Sequence, residues 1–216
     1  VLEDADRLED EHRQYLGDVE RNSRRLLHLV GDLLFIAQVE AGRLELRLEE
    51  LDIGGLAGES VEGLRPAAQA KSVDLRLDAK PIAQLRGDRA RLGQLLDNLV
   101  ANAVKFTPEG GRVVVALGSN DGHAVLAVSD TGIGIPAGEQ HRLFERFFRS
   151  STAQEAAIDG TGLGLAVSKA IVDAHDGTIE FVSEEGRGTT FRVRLPFASS
   201  QTTNGAVQER GTETGV

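Results

Sequence analysis

Asp130-Thr131-Gly132-Ile133-Gly134, followed by Gly160-Thr161-Gly162-Leu163-Gly164, twice sets glycines beside groups able to hold a nucleotide. Asp130 closes a run of alternating apolar residues, and the glycines after it let the backbone turn sharply and come close to a ligand. A carboxylate at such a turn only accepts hydrogen bonds, so it can take one from an exocyclic amine such as adenine N6 and reject a base with a carbonyl there. Taken alone, Asp-x-Gly-x-Gly is equally the pattern of an ordinary turn. The second cluster opens a helix carrying Leu165, Val167 and Ile171, so backbone N–H groups and the positive end of the helix dipole face any anion placed there. Phosphates suit it. The spacing is not Gly-x-x-x-x-Gly-Lys-Ser/Thr, and Gly160-x-Gly162-x-x-Leu165 is a poor dinucleotide fingerprint.

Upstream of both clusters, Leu92, Leu95, Leu96, Leu99 and Val100 recur at helical spacing, with Asp88 placed to cap the helix start. Asn98, Asn102 and Lys105, at i, i+4 and i+7, share the face opposite most of these leucines. Amide oxygens are hard ligands suited to Mg²⁺, which keeps several waters and shares phosphates, while a Lys ammonium meets a phosphate as a point charge. An exposed polar helix face reads the same way when considered alone. The segment between the glycine clusters is loop-rich and holds Leu143-Phe144-Glu145-Arg146-Phe147-Phe148-Arg149, three of the chain's eight Phe residues. It is expected to form a mobile lid whose phenylalanines dock and whose Arg146 or Arg149 reaches the terminal phosphate.

Around this centre the texture alternates between helix and strand. Val19, Leu26, Val30, Leu33 and Ala37, widened by Leu27 and Leu34, predict a long amphipathic helix over about 11–41, stopped by Ala41-Gly42. An apolar seam on so long a helix is expected to pair with another helix, from a second copy of the chain, rather than with its own domain. Residues 44–48 and 72–77 alternate like strands around a helix at 55–71. Strands are expected at 112–117 and 124–129, joined by Ser119-Asn120-Asp121-Gly122, whose Asp-Gly favours a tight hairpin. A helix at 163–174 and strands at 178–183 and 189–195 complete the order, with Pro196 ending the sheet. The expected fold is α+β: a two-layer sandwich of three helices on a mixed, mostly antiparallel sheet, preceded by the long N-terminal helix. Three parts follow: 1–42, 43–198, and a tail at 199–216, which is poor in apolar residues and expected to be disordered.

Composition narrows the field further. A net charge of −10 disfavours electrostatic attachment to nucleic acid or anionic lipid, so no nucleic-acid partner is expected. The absence of cysteine rules out a disulfide framework or thiolate zinc site and fits a reducing cytoplasm. No apolar run is long enough to span a bilayer, though the start at Val1 rather than Met leaves room for sensor or inner-membrane segments in a longer parent.

Five stretches in order resemble the N, G1, F, G2 and G3 boxes of the sensor histidine kinases of two-component systems. They are residues 97–108, 130–136, 143–149, 160–166 and 186–191. The resemblance covers 44–196 as a Bergerat-type ATP-binding domain, and 24–44 as the end of the second helix of the dimerisation and phosphotransfer hairpin. It implies Asn102, helped by Asn98, as the Mg²⁺ ligands, Lys105 on phosphate and Asp130 on adenine. Gly132, Gly134, Ile135, Phe147 and Thr189 join the nucleotide pocket by the same resemblance, and Gly160, Thr161, Gly162, Leu163 and Gly164 wrap the phosphates. Asn102, Lys105 and Arg146 become the catalytic set. ATP, Mg²⁺, the histidine-bearing hairpin of the same kinase, a response-regulator receiver domain and a second copy are the implied partners.

One family element departs. The phosphoacceptor box, a His followed by an acid and then Arg-Thr-Pro, is missing: His12 precedes Arg13, His28 precedes Leu29, and neither has a proline five residues on. The acceptor is expected to lie outside this chain. His28 reads as a helix-interface residue, His12 as solvated, and His123, His141 and His175 show no carboxylate at metal or triad spacing. Within the superfamily, an anti-sigma serine kinase or a chaperone, topoisomerase or mismatch-repair type ATPase uses a related pocket, usually with a catalytic Glu where Asn98 stands. A nucleotide-binding regulator without catalysis is the remaining alternative.

Overall fold

The computed structural model describes residues 10–156 and 158–197. Helix α1 spans Asp10–Glu40 and ends where Gly42, at φ 62°, receives the chain in a left-handed turn. There the Gly42 N–H donates to Val39 O and the Arg43 N–H to Gln38 O, the paired closure that satisfies a helix end. Strand β1 (Glu49–Leu51) follows, then α2 (Ile53–Ala70), β2 (Asp74–Ala79), β3 (Leu85–Gly87) and α3 (Arg89–Phe106). The hairpin β4 (Arg112–Asn120) and β5 (His123–Asp130) turns at Asp121-Gly122, both at positive φ. A 3₁₀ turn at Ala137–Arg142 and a short α4 (Ser151–Glu155) lead to α5 (Gly164–Ala174), β6 (Thr178–Glu184) and β7 (Gly188–Pro196).

Five strands form one sheet in the order β2-β4-β5-β7-β6, with β2 parallel to β4 and every other pair antiparallel. Helices α2, α3 and α5 cover one face, so the mixed, mostly antiparallel sandwich matches the expected class. Its core is built by the alternation of the strands and the helical spacing of the leucines: Val113 and Val115 of β4 share one cluster with Leu92, Leu95, Leu96 and Leu99 of α3 and Val167 and Ile171 of α5, all essentially inaccessible. Burying each such side chain contributes roughly 1.5–3 kcal/mol.

Three expectations are corrected. The strand placed at 44–48 is irregular, and β1 lies just beyond it, where it pairs antiparallel with β3, a strand the alternation did not announce. Within the segment expected to be loop-rich, residues 151–155 form α4, which Ser150 caps by accepting from the Ala153 N–H at 3.3 Å. Helix α1 also divides its apolar residues. Leu27 (71% exposed), Leu34 (59%), Val19, Leu26, Val30 and Leu33 face outward, while Phe35 (1%) and Ile36 are buried on the domain. The Arg91 guanidinium lies 4.2 Å over the Phe35 ring and Gln94 donates to Asp32 at 2.9 Å, so the end of α1 docks on α3. The tail expected at 199–216 lies outside the described residues, as does the side chain of His28.

His175, which showed no partner in sequence, is a buried tie between elements. Its Nε2 accepts the Asp88 N–H at 3.0 Å, which leaves the proton on Nδ1 to donate to Ile171 O at 2.8 Å. Both ring nitrogens are thereby satisfied with the imidazole neutral. Asp88 does more than cap α3 through the Arg91 N–H: its other oxygen accepts the Arg47 N–H at 2.9 Å and secures the linker after α1. Burial opposes ionisation of Asp88, yet the N–H donors from Arg47, Arg91 and Ala90 hold its carboxyl below the ordinary value.

Candidate functional site

A cavity of about 580 Å³ opens between α3, the loop after β5, the 143–164 segment and the start of α5. Asn98, Asn102, Lys105, Asp130, Gly134, Ile135, Gly160, Thr161, Gly162, Gly164 and Thr189 line it together, so four segments far apart in sequence share one space. Gly132 and Leu163 sit behind the wall. Gly132 supports Asp130 from beneath, and Leu163 is fully buried at the helix start. Arg146 and Phe147 are not brought to the cavity: Arg146 forms an ion pair with Glu40 at the end of α1, and Phe147 is 62% exposed at φ 61°. Their neighbours Phe148 and Arg149 line it instead, and Arg149 donates to Ile158 O at 2.6 Å. Leu29 and Asp32 of α1 reach the rim, which no pattern in the sequence announced.

The Asp130 end is tightly stitched. One carboxylate oxygen, Oδ1, accepts the Gly132 N–H at 2.8 Å and the Thr189 N–H at 3.1 Å, which fixes the plane of the group and points Oδ2 elsewhere. Burial pushes the Asp130 carboxyl above its ordinary pKa, and these two N–H donors only partly oppose the shift. The loop after it is tied to the sheet by Ser183, which accepts the Ile135 N–H at 3.0 Å, and by Gln140, which donates to Ile135 O and Ser183 O. Gly134, at φ 66°, lies so close to β6 that an added Cβ would stand 2.0 Å from Glu184 O.

The other end offers positive charge and backbone donors. Lys105 reaches the Gly160 turn, where an added Cβ would stand 2.8 Å from its Nζ. Helices α2, α3 and α4 begin with capping side chains, Asp52, Asp88 and Ser150, whereas α5 begins at Gly164 with none. Its first N–H groups are therefore left for a ligand on the cavity side, where Gly162, Gly164 and Leu165 form the wall. The Asn98 amide donates through Nδ2 to Gly164 O at 3.2 Å, which ties α3 to this helix start and leaves Oδ1 as its ligating atom. Among the described residues no cluster of three His, Cys, Asp or Glu could hold a metal. The side-chain amides of Asn98 and Asn102 offer hard oxygen donors on the cavity wall.

The arrangement suits a polyanion carrying a purine, with an acceptor at one end and N–H groups, an ammonium and a guanidinium at the other. Residues 87–199 match the family described as "Histidine kinase-, DNA gyrase B-, and HSP90-like ATPase". Over 192 residues the chain is 37% identical to the circadian input-output histidine kinase CikA of Synechococcus elongatus, covering 88% of this chain and 26% of that protein. Over 187 residues it is 33% identical to the sensor-like histidine kinase SenX3 of Mycolicibacterium smegmatis, covering 87% and 49% respectively. Among solved structures, full-length ShkA in complex with AMPPNP superposes with a TM-score of 0.76 at 34% identity, covering 89% of this chain and 40% of that one. The chain thus spans only 26% and 49% of the lengths of these two curated relatives. Its fold, its cavity and these likenesses agree: the chain belongs to the histidine kinase-, DNA gyrase B- and HSP90-like ATPase family, as a histidine-kinase ATP-binding catalytic domain.

Proposed function

We propose that this chain delivers the γ-phosphoryl group of ATP to a histidine outside it, on the hairpin of the same kinase, for relay to a response-regulator aspartate. The observation that supports this most directly is the shared cavity of Asp130, Asn102 and the Gly160–Gly164 turn. In this reading Asp130 Oδ2 accepts from adenine N6, with Ile135 and Thr189 beside the base. The uncapped start of α5 and the Gly160, Thr161 and Gly162 backbone hold the phosphates. Lys105 and Arg149 neutralise charge at the terminal phosphate, Arg149 taking the place first given to Arg146.

The oxygens of Asn98 and Asn102 suit Mg²⁺, a hard cation that keeps waters and is shared with phosphates; when bound it would neutralise charge on the transferring group. The remaining work belongs to the chain's own residues: positioning the nucleotide, excluding water and presenting the terminal phosphate at the rim beside Asp32. Transfer through a loose transition state asks for little else, so no general base is required inside this domain.

The parts proposed are a helical strut at 1–42, the ATP-binding domain at 43–198 and the tail at 199–216. The outward seam of α1 supports pairing with a second copy, and the location proposed is cytoplasmic. Among the described residues no helix is long and apolar enough to cross a membrane.

The test supplies labelled ATP and Mg²⁺ with a separate hairpin carrying the acceptor histidine. Acid-labile, base-stable label on the hairpin is the expected result. Label on serine, or binding without transfer, would replace this reading by the serine-kinase or the regulator alternative.

A further inference from the structure

Lys71 closes α2, yet its side chain serves α3. Its backbone is set by a left-handed Ser72 at φ 54°, with the Ser72 N–H on Gln69 O and the Val73 N–H on Ala68 O. From there Nζ donates to Val104 O at 3.0 Å, Lys105 O at 2.8 Å and Thr107 O at 2.7 Å. An ammonium has three N–H donors, and all three are used on the carbonyls that a helix end leaves without partners. The other carbonyls of this turn are also taken: Ala103 O accepts the Thr107 hydroxyl at 2.6 Å, and Phe106 O accepts the Ile133 N–H of the Asp130 loop at 3.2 Å.

We propose that Lys71 is a positioning residue of the ATP site: its ammonium fixes and neutralises the last turn of α3, so that Lys105 extends from that turn into the cavity. The inference rests on the nucleotide reading above. A cation is favoured at the negative end of a helix dipole. With Lys71 in that place, Lys105 points to Gly160; without it, the bared carbonyls would draw back Lys105, the basic residue of that same last turn. Lys71 lies 34 residues from Lys105 in sequence and does not line the cavity, which is why no spacing rule finds it.

The experiment titrates MgATP and adenosine into the full chain and its Lys71→Met, Lys71→Gln and Lys71→Arg variants, at a temperature well below each melting midpoint. Lys71→Met is expected to weaken MgATP about tenfold or more and adenosine less than about threefold, Lys71→Gln to fall between, and Lys71→Arg to stay within about threefold of the parent for both. A merely structural lysine would lower the melting midpoint and leave the ATP-to-adenosine ratio unchanged. That ratio, unchanged in folded Lys71→Met, overturns the proposal, as does failure of both the Met and Gln variants to fold. If the parent binds neither ligand, or Asp130→Asn binds ATP like the parent, the nucleotide site itself is misassigned, an outcome recognisable without any Lys71 variant.

Discussion

The two glycine turns look alike in sequence and are built differently. At Gly132, Gly134 and Gly188 an added Cβ would strike main chain, 2.6 Å from Phe106 O, 2.0 Å from Glu184 O and 2.0 Å from Asp130 O. At Gly160 it would meet only the far end of the Lys105 side chain, and at Gly164 only the Asn98 amide at 3.6 Å. Gly162 alone, against the Phe147 backbone at 2.6 Å, ties the second turn to fixed structure. The first turn is thus clamped against the sheet, a rigid socket whose hydrogen bonds are made before any ligand arrives. The second borders side chains that would themselves touch the ligand, so its shape can adjust at modest cost.

Breaking the rigid turn should cost most. Gly134→Ala places a side chain at positive φ against β6, and its expected destabilisation is about 2–4 kcal/mol, with ATP binding lost in parallel. A denaturant melt within about 0.5 kcal/mol of the parent would show that the socket yields after all.

Asp130→Asn comes next. It keeps an oxygen for the Gly132 and Thr189 N–H groups but turns the ligand-facing atom into a donor, so ATP should weaken by about tenfold or more, in keeping with a cost of about 1–3 kcal/mol for a mispaired buried group. Calorimetry giving equal affinities would remove Asp130 from the adenine contact.

The same residue predicts opposite responses to acid. Folded Asp130 takes up its proton at higher pH than the unfolded side chain does, so acidification through that range stabilises the fold through this group. The proton also converts the acceptor to a donor, so adenosine affinity should fall over the same range, beginning above the usual carboxylate pKa. Affinity that stays level down to the ordinary Asp range would mean the carboxyl is not desolvated in the ligand-free chain.

Gly160→Ala tests the adjustable turn. Only the Lys105 ammonium must move, so stability should change by less than about 0.5 kcal/mol while the ATP Kd rises severalfold, by about three to ten. A melt as damaged as that of Gly134→Ala would erase the distinction between the turns. Glu40→Gln should do least, since an exposed ion pair contributes about 0–1 kcal/mol; its melting midpoint should barely shift, and a shift as large as that of Gly134→Ala would mean that α1 and the 143–149 segment are welded together.

Much of the site was legible because its residues are constrained locally. Asn98, Asn102 and Lys105 share a helix face by periodicity, and a carboxylate before a glycine turn announces itself without tertiary help. The arginine of the 143–149 segment was not decidable that way. Arg146 and Arg149 differ by three residues in an irregular stretch, and only the docking of α1 shows that Glu40 holds one while the other lines the cavity. The strand near 44–48 moved for a related reason. Alternation there reports an amphipathic segment, but the ladder forms where a partner exists, and β3 sits opposite 49–51.

By itself the sequence determined the order of the long helices and of the five strands of the main sheet, the class of that sheet, the apolar faces of the helices and the residue types that suit a nucleotide, since each depends on interactions among near neighbours. Tertiary structure alone decided which face of α1 meets its own domain, that His175 and Asp88 bind the ends of α5 and α3 to the linker, and that Lys71 supplies the missing donors at the end of α3. Those choices depend on which unsatisfied backbone group or exposed apolar surface comes within reach once distant segments pack, and reach across space leaves no spacing in the chain.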